Sequence, residues 1–245
     1  EVLDTVVQAF KVSEKLLIPS MVILDAFTLS HTYEVVDLPE QEKVDEYLPP
    51  FKPPIRITPD EPHAFGGLTS PEHYFELRYK VQKAMEEAPA LIEETGREYE
   101  KMFGRYLGLF EDYLCEDAEL ILITSGTMGS TAKIAVDELR KEGIKAGNLR
   151  MKVFRPFPFE KIRNILKGAQ KVAVVDRNIS YGHHGMFFQE VKSAMYGHSN
   201  GLPLFGFIAG LGGRDITPST FKEIAHHALG KEKPEEEIIW IGVNR

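Results

Sequence analysis

Lys171-Val172-Ala173-Val174-Val175-Asp176 is a run of small and β-branched apolar residues that ends on a carboxylate. A strand with one wet face would alternate apolar and polar residues. A near-continuous apolar run is what a parallel strand buried on both faces requires. The same punctuated pattern extends in both directions. Upstream, residues 120–124 read as a strand, Ser125-Gly126-Thr127-Met128-Gly129 as a turn, and residues 131–141 as a helix with Ala135, Val136 and Leu139 inward. Residues 149–154 form the next strand, Arg155-Pro156-Phe157-Pro158 a rigid turn, and residues 160–166 a short helix. Downstream come a helix at 187–195, a strand at 204–209, a glycine loop at 210–213, a helix at 218–229 and a last strand at 238–243. Five strands alternating with four helices predict a parallel α/β sheet with flanking helices and right-handed crossovers.

The first half reads differently. Val2, Val6, Val7, Phe10 and Leu17 fall at helical spacing over residues 1–17, and Pro19 ends that helix. Residues 21–27 (MVILDAF) are a short apolar run, a candidate buried strand. A helix and a strand alone cannot cover both faces of a sheet, so residues 1–36 look like the tail of another α/β domain. The first residue is Glu1 and the opening already reads as structured chain, which suggests a portion of a longer protein. Eight prolines between 37 and 71 predict an extended linker rather than a core. Ser70-Pro71 then opens a long helix, with Ser70 at the N-cap and Pro71 at the first helical position, and Pro89 should kink or divide it. The expected domains are residues 1–36, a linker and helical segment at 37–115, and the α/β domain at 116–245.

Composition narrows the chemistry. The 245 residues carry 29 Lys plus Arg against 37 Asp plus Glu, a formal charge of −8, which argues against a nucleic-acid surface. A single cysteine, Cys115, excludes an internal disulfide, a cysteine zinc site and a cluster held by this chain alone. It fits a reducing, cytoplasmic setting. No apolar run reaches membrane-spanning length and no signal peptide is legible.

Four loops follow predicted strands at their C-terminal ends, where open parallel sheets place ligands or contacts. The turn with Gly126 and Gly129 can present amides to an anion at a helix N-terminus, or can simply be a tight turn of small residues; it is neither a Walker loop nor a dinucleotide fingerprint. In Gly210-Leu211-Gly212-Gly213-Arg214-Asp215, Arg214 and Asp215 can pair with each other or with another subunit, and Thr217 should cap the helix that Pro218 begins. Asp176-Arg177-Asn178 precedes His183-His184, a combination that suggests acid–base work or a metal, although adjacent loop histidines project in different directions and lack ligand spacing. His226-His227 and the acidic runs at 93–94 and 235–237 read as surface. No nucleophile elbow or paired-carboxylate pattern stands out.

Taken in order, these elements resemble a known family. Asp25-Ala26-Phe27-Thr28-Leu29-Ser30-His31, Pro62-His63-Ala64-Phe65-Gly66, Glu116-Asp117-Ala118-Glu119, Thr124-Ser125-Gly126, Phe154-Arg155-Pro156-Phe157-Pro158, Asp176-Arg177-Asn178 and Gly212-Gly213-Arg214-Asp215 are similar to the alpha chains of the 2-oxoacid:ferredoxin oxidoreductases, in their pyruvate branch. The resemblance runs over nearly the whole chain. It implies a thiamine diphosphate enzyme in which a 2-oxoacid is oxidatively decarboxylated, coenzyme A takes the acyl group as co-substrate, and iron–sulfur clusters pass electrons to ferredoxin. It implies magnesium with the thiamine diphosphate, a beta chain that binds most of it, a gamma chain and a ferredoxin-like delta chain, with no nucleic acid or membrane partner. In these terms residues 1–36 are the tail of a pyrimidine-binding-type domain, and residues 116–245 are a transketolase C-terminal-like domain serving mainly assembly. The alternatives are the 2-oxoisovalerate or 2-oxoglutarate branch, or a purely non-catalytic module. The family's substrate- and thiamine-contacting motifs have no counterpart here, so no catalytic residue is carried over. Gly126, Gly129, Arg155, Asp176, Arg177, Asn178, Gly212, Gly213, Arg214 and Asp215 are then expected at subunit contacts or the active-site periphery.

Overall fold

The computed structural model describes residues 1–26 and 28–244. In chain order its elements are α1 (Val2–Leu16), α2 (Thr28–His31), α3 (Gln41–Tyr47), α4 (Pro71–Phe103), β1 (Phe110–Tyr113), β2 (Leu120–Ser125), α5 (Met128–Lys141) and β3 (Ala146–Met151). They continue with α6 (Phe159–Leu166), β4 (Lys171–Asp176), α7 (Met186–Met195), β5 (Leu204–Ile208), α8 (Pro218–Leu229) and β6 (Ile239–Trp240). The chain divides into two units: Glu1–Leu24 with Tyr33–Gly108, and Asp25–Thr32 with Leu109–Arg245. Among the described residues no helix is long and apolar enough to cross a membrane.

The second unit is built on one six-stranded sheet in the order β1-β3-β2-β4-β5-β6. β2 to β6 are parallel to their neighbours, and β1 is antiparallel to β3 at the edge. Strand alternation sorts the core into two layers. Leu120, Leu122, Ala173 and Val175 face α5 and α8, while Ile121, Ile123, Val172 and Val174 face α6 and α7. Because β2 and β4 are neighbours while β3 lies on the far side of β2, the winding direction reverses at their C-terminal ends. That reversal is the topological switch point of a doubly wound fold.

The parallel α/β reading holds, with one strand more than expected, but not every crossover has the expected right hand: β4 to β5 and β5 to β6 step in the same direction, while α7 and α8 lie on opposite faces of the sheet. β1 lies within residues 37–115, where only a linker and a helical segment were expected. Its polar residues suit an edge strand, where charge discourages further pairing. The last strand is shorter than expected, and α5 begins at Met128 rather than 131.

The first unit is helical. Val7 of α1, Tyr47 of α3, Tyr99 of α4 and Leu107 form its buried cluster. The Tyr47 and Tyr99 rings meet edge to face at 5.3 Å, and the Tyr47 hydroxyl donates to the Thr95 carbonyl at 3.0 Å. The expectation of a coreless linker over 37–71 is therefore corrected at α3. The prolines fall around this helix, and its last residue supplies a fully buried ring. Residues 21–26 form no strand, and Phe27 lies outside the described residues.

α4 runs through Pro89 as one helix of 33 residues, so of the kink or division expected there the division does not occur. Pro71 takes the first turn, but the Ser70 side chain does not cap an amide. The Ser70 hydroxyl is instead hydrogen-bonded to the Glu72 carboxylate, which lies below its ordinary value for that reason first. One face of α4 (Ala88, Ile92, Thr95, Gly96, Tyr99) is buried. Gly96 is required there, since a Cβ would lie 1.9 Å from the Leu107 carbonyl oxygen.

Candidate functional site at the switch point

The loops that follow β2, β3, β4 and β5 lie at the C-terminal edge of the sheet, and the sequence candidates are distributed over them. After β2, Gly126 has a left-handed φ of 59°. The helix N-terminus beyond it holds an anion, but the anion belongs to the chain. The Asp25 carboxylate accepts a hydrogen bond from the Thr127 amide at 2.8 Å and another from the Thr127 hydroxyl. A Cβ on Gly126 would sit 2.8 Å from the same carboxylate oxygen, so the glycine serves close approach as well as the turn.

Arg177, the first residue after β4, reaches the same place. Its guanidinium lies 3.5 Å from the Asp25 carboxylate and donates to the Thr127 hydroxyl at 3.2 Å. Gly210, after β5, has a left-handed φ, and a Cβ there would meet the Ile216 side chain first, at 2.5 Å, and Arg177 Nε at 3.1 Å.

Asp176 has a different task. It is fully buried, and its two oxygens accept from the amides of Phe187 and Phe188, both at 3.0 Å, in the first turn of α7. Asn178 donates to Asp176 at 3.2 Å and accepts from the Met186 amide at 2.8 Å. Burial pushes the Asp176 carboxyl up to about 6, against the downward pull of the two amides and Asn178. A Cβ on Gly185 would fall 2.2 Å from Asp176 Oδ2, so this cap also depends on a glycine. The suggestion of acid–base or metal work by Asp176 with His183 and His184 gives way to helix capping. The two imidazoles meet each other at 2.6 Å, and His184 reaches Glu237 at 2.9 Å. Glu237 also pairs with Lys192 at 3.1 Å, so this part of the acidic run is partnered rather than merely solvated.

The remaining candidates are dispersed. Gly129 yields space to the Arg150 side chain, whose Cδ would lie 2.0 Å from a Cβ there, and Arg150 pairs with Glu111 at 2.8 Å. Arg155 pairs with Glu190 of α7 at 2.7 Å and lies over the Phe154 ring. Gly212 and Gly213 have φ of 67° and 83° on an exposed turn. Arg214 donates to the Gly242 carbonyl rather than to Asp215. Thr217 caps α8 as expected, accepting from the Thr220 amide at 3.3 Å, with Pro218 at the first helical position. His227 is edge-on to Phe207 at 5.7 Å. The Cys115 thiol is pushed up by burial first and by the Asp112 carboxylate second, which leaves it protonated and unreactive.

Sequence reasoning quoted Asp25 only as part of a motif. Its signal was the lone acid at the end of an apolar run, and nothing local ties it to Thr127, 102 positions away.

The geometry thus defines a doubly wound α/β unit whose two helix N-termini at the switch point, those of α5 and α7, are both filled by the chain's own carboxylates. A family model described as "Pyruvate:ferredoxin oxidoreductase core domain II" matches residues 118–221, and one described as "Pyruvate flavodoxin/ferredoxin oxidoreductase, thiamine diP-bdg" matches residues 1–97. Pyruvate synthase subunit PorA of Methanothermobacter thermautotrophicus is 46% identical over 245 residues, covering 99% of this chain and 62% of that relative. Ketoisovalerate oxidoreductase subunit VorA of Pyrococcus horikoshii is 44% identical over 250 residues, covering 100% of this chain and 64% of that relative. A solved 2-oxoglutarate:ferredoxin oxidoreductase from Magnetococcus marinus aligns at a TM-score of 0.49 with 18% identity, over 75% of this chain and 29% of that one. The chain belongs to the pyruvate:ferredoxin oxidoreductase family, on its alpha-chain side, as its ordered motifs implied.

Proposed function

We propose that this chain is part of the alpha subunit of a thiamine diphosphate-dependent pyruvate:ferredoxin oxidoreductase. The assembly takes pyruvate, coenzyme A and oxidised ferredoxin to acetyl-coenzyme A, carbon dioxide and reduced ferredoxin. The observation that carries this reading is the 46% identity to a pyruvate synthase subunit along 99% of the chain. The 44% identity to a ketoisovalerate oxidoreductase subunit supports a second reading, in which the substrate is the branched 2-oxoisovalerate.

The residues described here do not by themselves fit a magnesium–diphosphate site. Asp25 and Asp176 fill the helix N-termini at the switch point, and no group of three or more His, Cys, Asp or Glu is placed to hold a metal ion among the described residues. In this reading thiamine diphosphate with its magnesium is held chiefly by a beta chain. The iron–sulfur clusters sit on a ferredoxin-like delta chain, and a gamma chain completes the cytoplasmic complex. This portion serves assembly and does not turn over substrate alone.

Large apolar side chains left in water support a subunit role: Tyr33, Val35 and Leu68 are fully exposed, and Met21, Ile23 and Phe75 nearly so. Residues 116–245 act as the transketolase C-terminal-like assembly domain. Among its loop candidates Gly126, Arg155, Gly212, Gly213, Arg214 and Asp215 are exposed, and the last four lie together on one turn available to a neighbouring chain.

The test is kcat/KM of the purified complex for pyruvate and for 2-oxoisovalerate, at saturating coenzyme A and ferredoxin. Pyruvate should be preferred by about tenfold or more, the scale a shaped apolar pocket delivers for two extra methyl groups. A reversed preference replaces the first reading with the second. Absence of thiamine-dependent turnover with either acid overturns both.

A further inference from the structure

We infer that residues 33–38 are a strand donated to a different chain, an extended segment that pairs with the free sheet edge of a neighbouring subunit. The inference rests on the multi-subunit reading above and deepens it by naming the mode of contact. Tyr33-Glu34-Val35-Val36-Asp37-Leu38 lies between α2 and Pro39. All six residues are exposed, Tyr33 and Val35 completely. They run without helix, turn or bend, and none has a left-handed φ. Among the described residues no backbone amide or carbonyl of 33–38 meets a hydrogen-bond partner. Only the Asp37 side chain is engaged, 3.5 Å from Arg105.

The residue chemistry favours a strand. Tyr and Val suit a pleated surface, and β-branched Val35 and Val36 are stiff and poor in helices. Pro39 pushes the residue before it into the extended region and ends the segment. Tyr33, Val35, Val36 and Leu38 gain nothing from water. An extended, exposed and unbonded stretch presents a full row of amides and carbonyls. That is the geometry of strand addition, in which main-chain bonds supply affinity and alternate side chains supply specificity.

Charge chooses the acceptor. Glu34 and Asp37 give the segment two negative charges and no positive one. Two copies paired antiparallel over their full length would set Glu34 opposite Asp37 of the second copy. Paired parallel in register, each acid would face its own counterpart. Like charges directly opposite are destabilising. The sheet of a second copy is no better suited. Its edge strand β1 carries Glu111 and Asp112, and residues 235–237, ahead of β6 at the other edge, are all glutamate. The acceptor is therefore an edge strand of a different chain in the assembly, with Lys or Arg facing Glu34 and Asp37.

The experiment is amide hydrogen exchange at single-residue resolution over 33–38, in the full alpha subunit alone and in the purified complex. In the subunit alone these amides should exchange as open chain. In the complex about half of them, alternating along the segment, should slow by about tenfold or more. Val35→Pro and Val36→Pro separate a strand from an apolar patch, because an edge strand tolerates proline only where the amide faces away from the ladder. One of the two should weaken association by about fivefold, the worth of one backbone hydrogen bond, and the other much less. A patch would feel both alike. Both positions are exposed, and circular dichroism checks that each variant is folded. Glu34→Lys should also weaken association, and tighter association would overturn the basic acceptor. Open-chain exchange throughout 33–38 in an active complex, slowed exchange already in the subunit alone, or equal effects of the two prolines would overturn the donated strand and leave the oxidoreductase reading standing. A complex without thiamine-dependent turnover overturns that reading instead, and a subunit that assembles with no other chain overturns both.

Discussion

In the sheet unit, six strands lie between two continuous apolar layers, and its buried polar groups, Thr124, Asn148 and Asp176, are satisfied locally. In the helical unit the buried apolar cluster is small, and polar side chains do the spanning. Gln8 of α1 donates to the carbonyls of Ile92 at 2.8 Å and Leu107 at 3.0 Å. Buried Asp4 accepts from the Tyr99 hydroxyl at 2.7 Å and from two nitrogens of Arg105 at 2.8 and 2.9 Å. Area burial holds a sheet between layers without directional demands. Three helices with little shared area need directional bonds to fix their register, and they become sensitive to the loss of any one acceptor. The difference explains how a stretch dense in proline still contributes to a core: α3 needs only to deliver Tyr47.

The largest expected effect that breaks this comparison is Asp4→Ala. It leaves the Tyr99 hydroxyl buried and Arg105 without its bidentate partner, at a cost of about 2–4 kcal/mol. Hydrogen exchange should show the loss in α1 and α4 and spare the sheet. An equal loss of protection in β2 and β4 would mean that the two units do not fold independently.

Asp176→Asn comes next, at about 1–3 kcal/mol, because an amide has one acceptor oxygen where the carboxylate has two. Here the loss should appear in α7 and the strands beside it. The pH responses sharpen the contrast. Burial raises Asp176 to about 6 from an ordinary 3.8. The folded sheet unit therefore binds the proton more readily than the unfolded chain and loses stability as pH rises from about 4 to about 6. Burial also pushes Asp4 upward, but the bonds from Arg105 and Tyr99 and the Arg105 charge together outweigh it, and its carboxyl lies below the ordinary 3.8. Its contribution is fully present above that value and is lost as pH falls below it. Denaturant melts from pH 3 to 7 should show the Asp176 slope vanish in Asp176→Asn and the acid loss vanish in Asp4→Ala.

The smallest effect is expected from Arg214→Ala with Asp215→Ala. Both side chains are exposed, so folding stability should change by less than about 0.5 kcal/mol. Assembly of the complex should weaken instead, as gel filtration would show. Unchanged assembly and turnover would remove this loop from the contact surface.

Most of the sheet was legible because a strand buried on both faces must be apolar along its length, and 171–176 could hardly be anything else. α8 was legible for a second reason: Thr217 and Pro218 announce its start through one hydroxyl and one missing amide. β1 was hidden because four edge residues with two charges carry no apolar signature. The strand expected at 21–27 shows the opposite failure. An apolar run favours burial, but only a neighbouring strand makes it a strand, and in residues 21–26 no ladder forms. Of the candidate residues, Gly126, Asp176 and Arg177 were found by their position after strands. Their roles as close-approach space, helix cap and ion-pair partner of Asp25 were not.

By itself the sequence determined the parallel α/β class, the cap of α8 by Thr217, the single cysteine and the family. Each of these is written in local periodicity, residue chemistry or ordered motifs. Tertiary structure alone decided what fills the switch point. A helix N-terminus attracts any carboxylate, and which one arrives depends on where the folded chain carries Asp25, 102 positions away from the amide it meets.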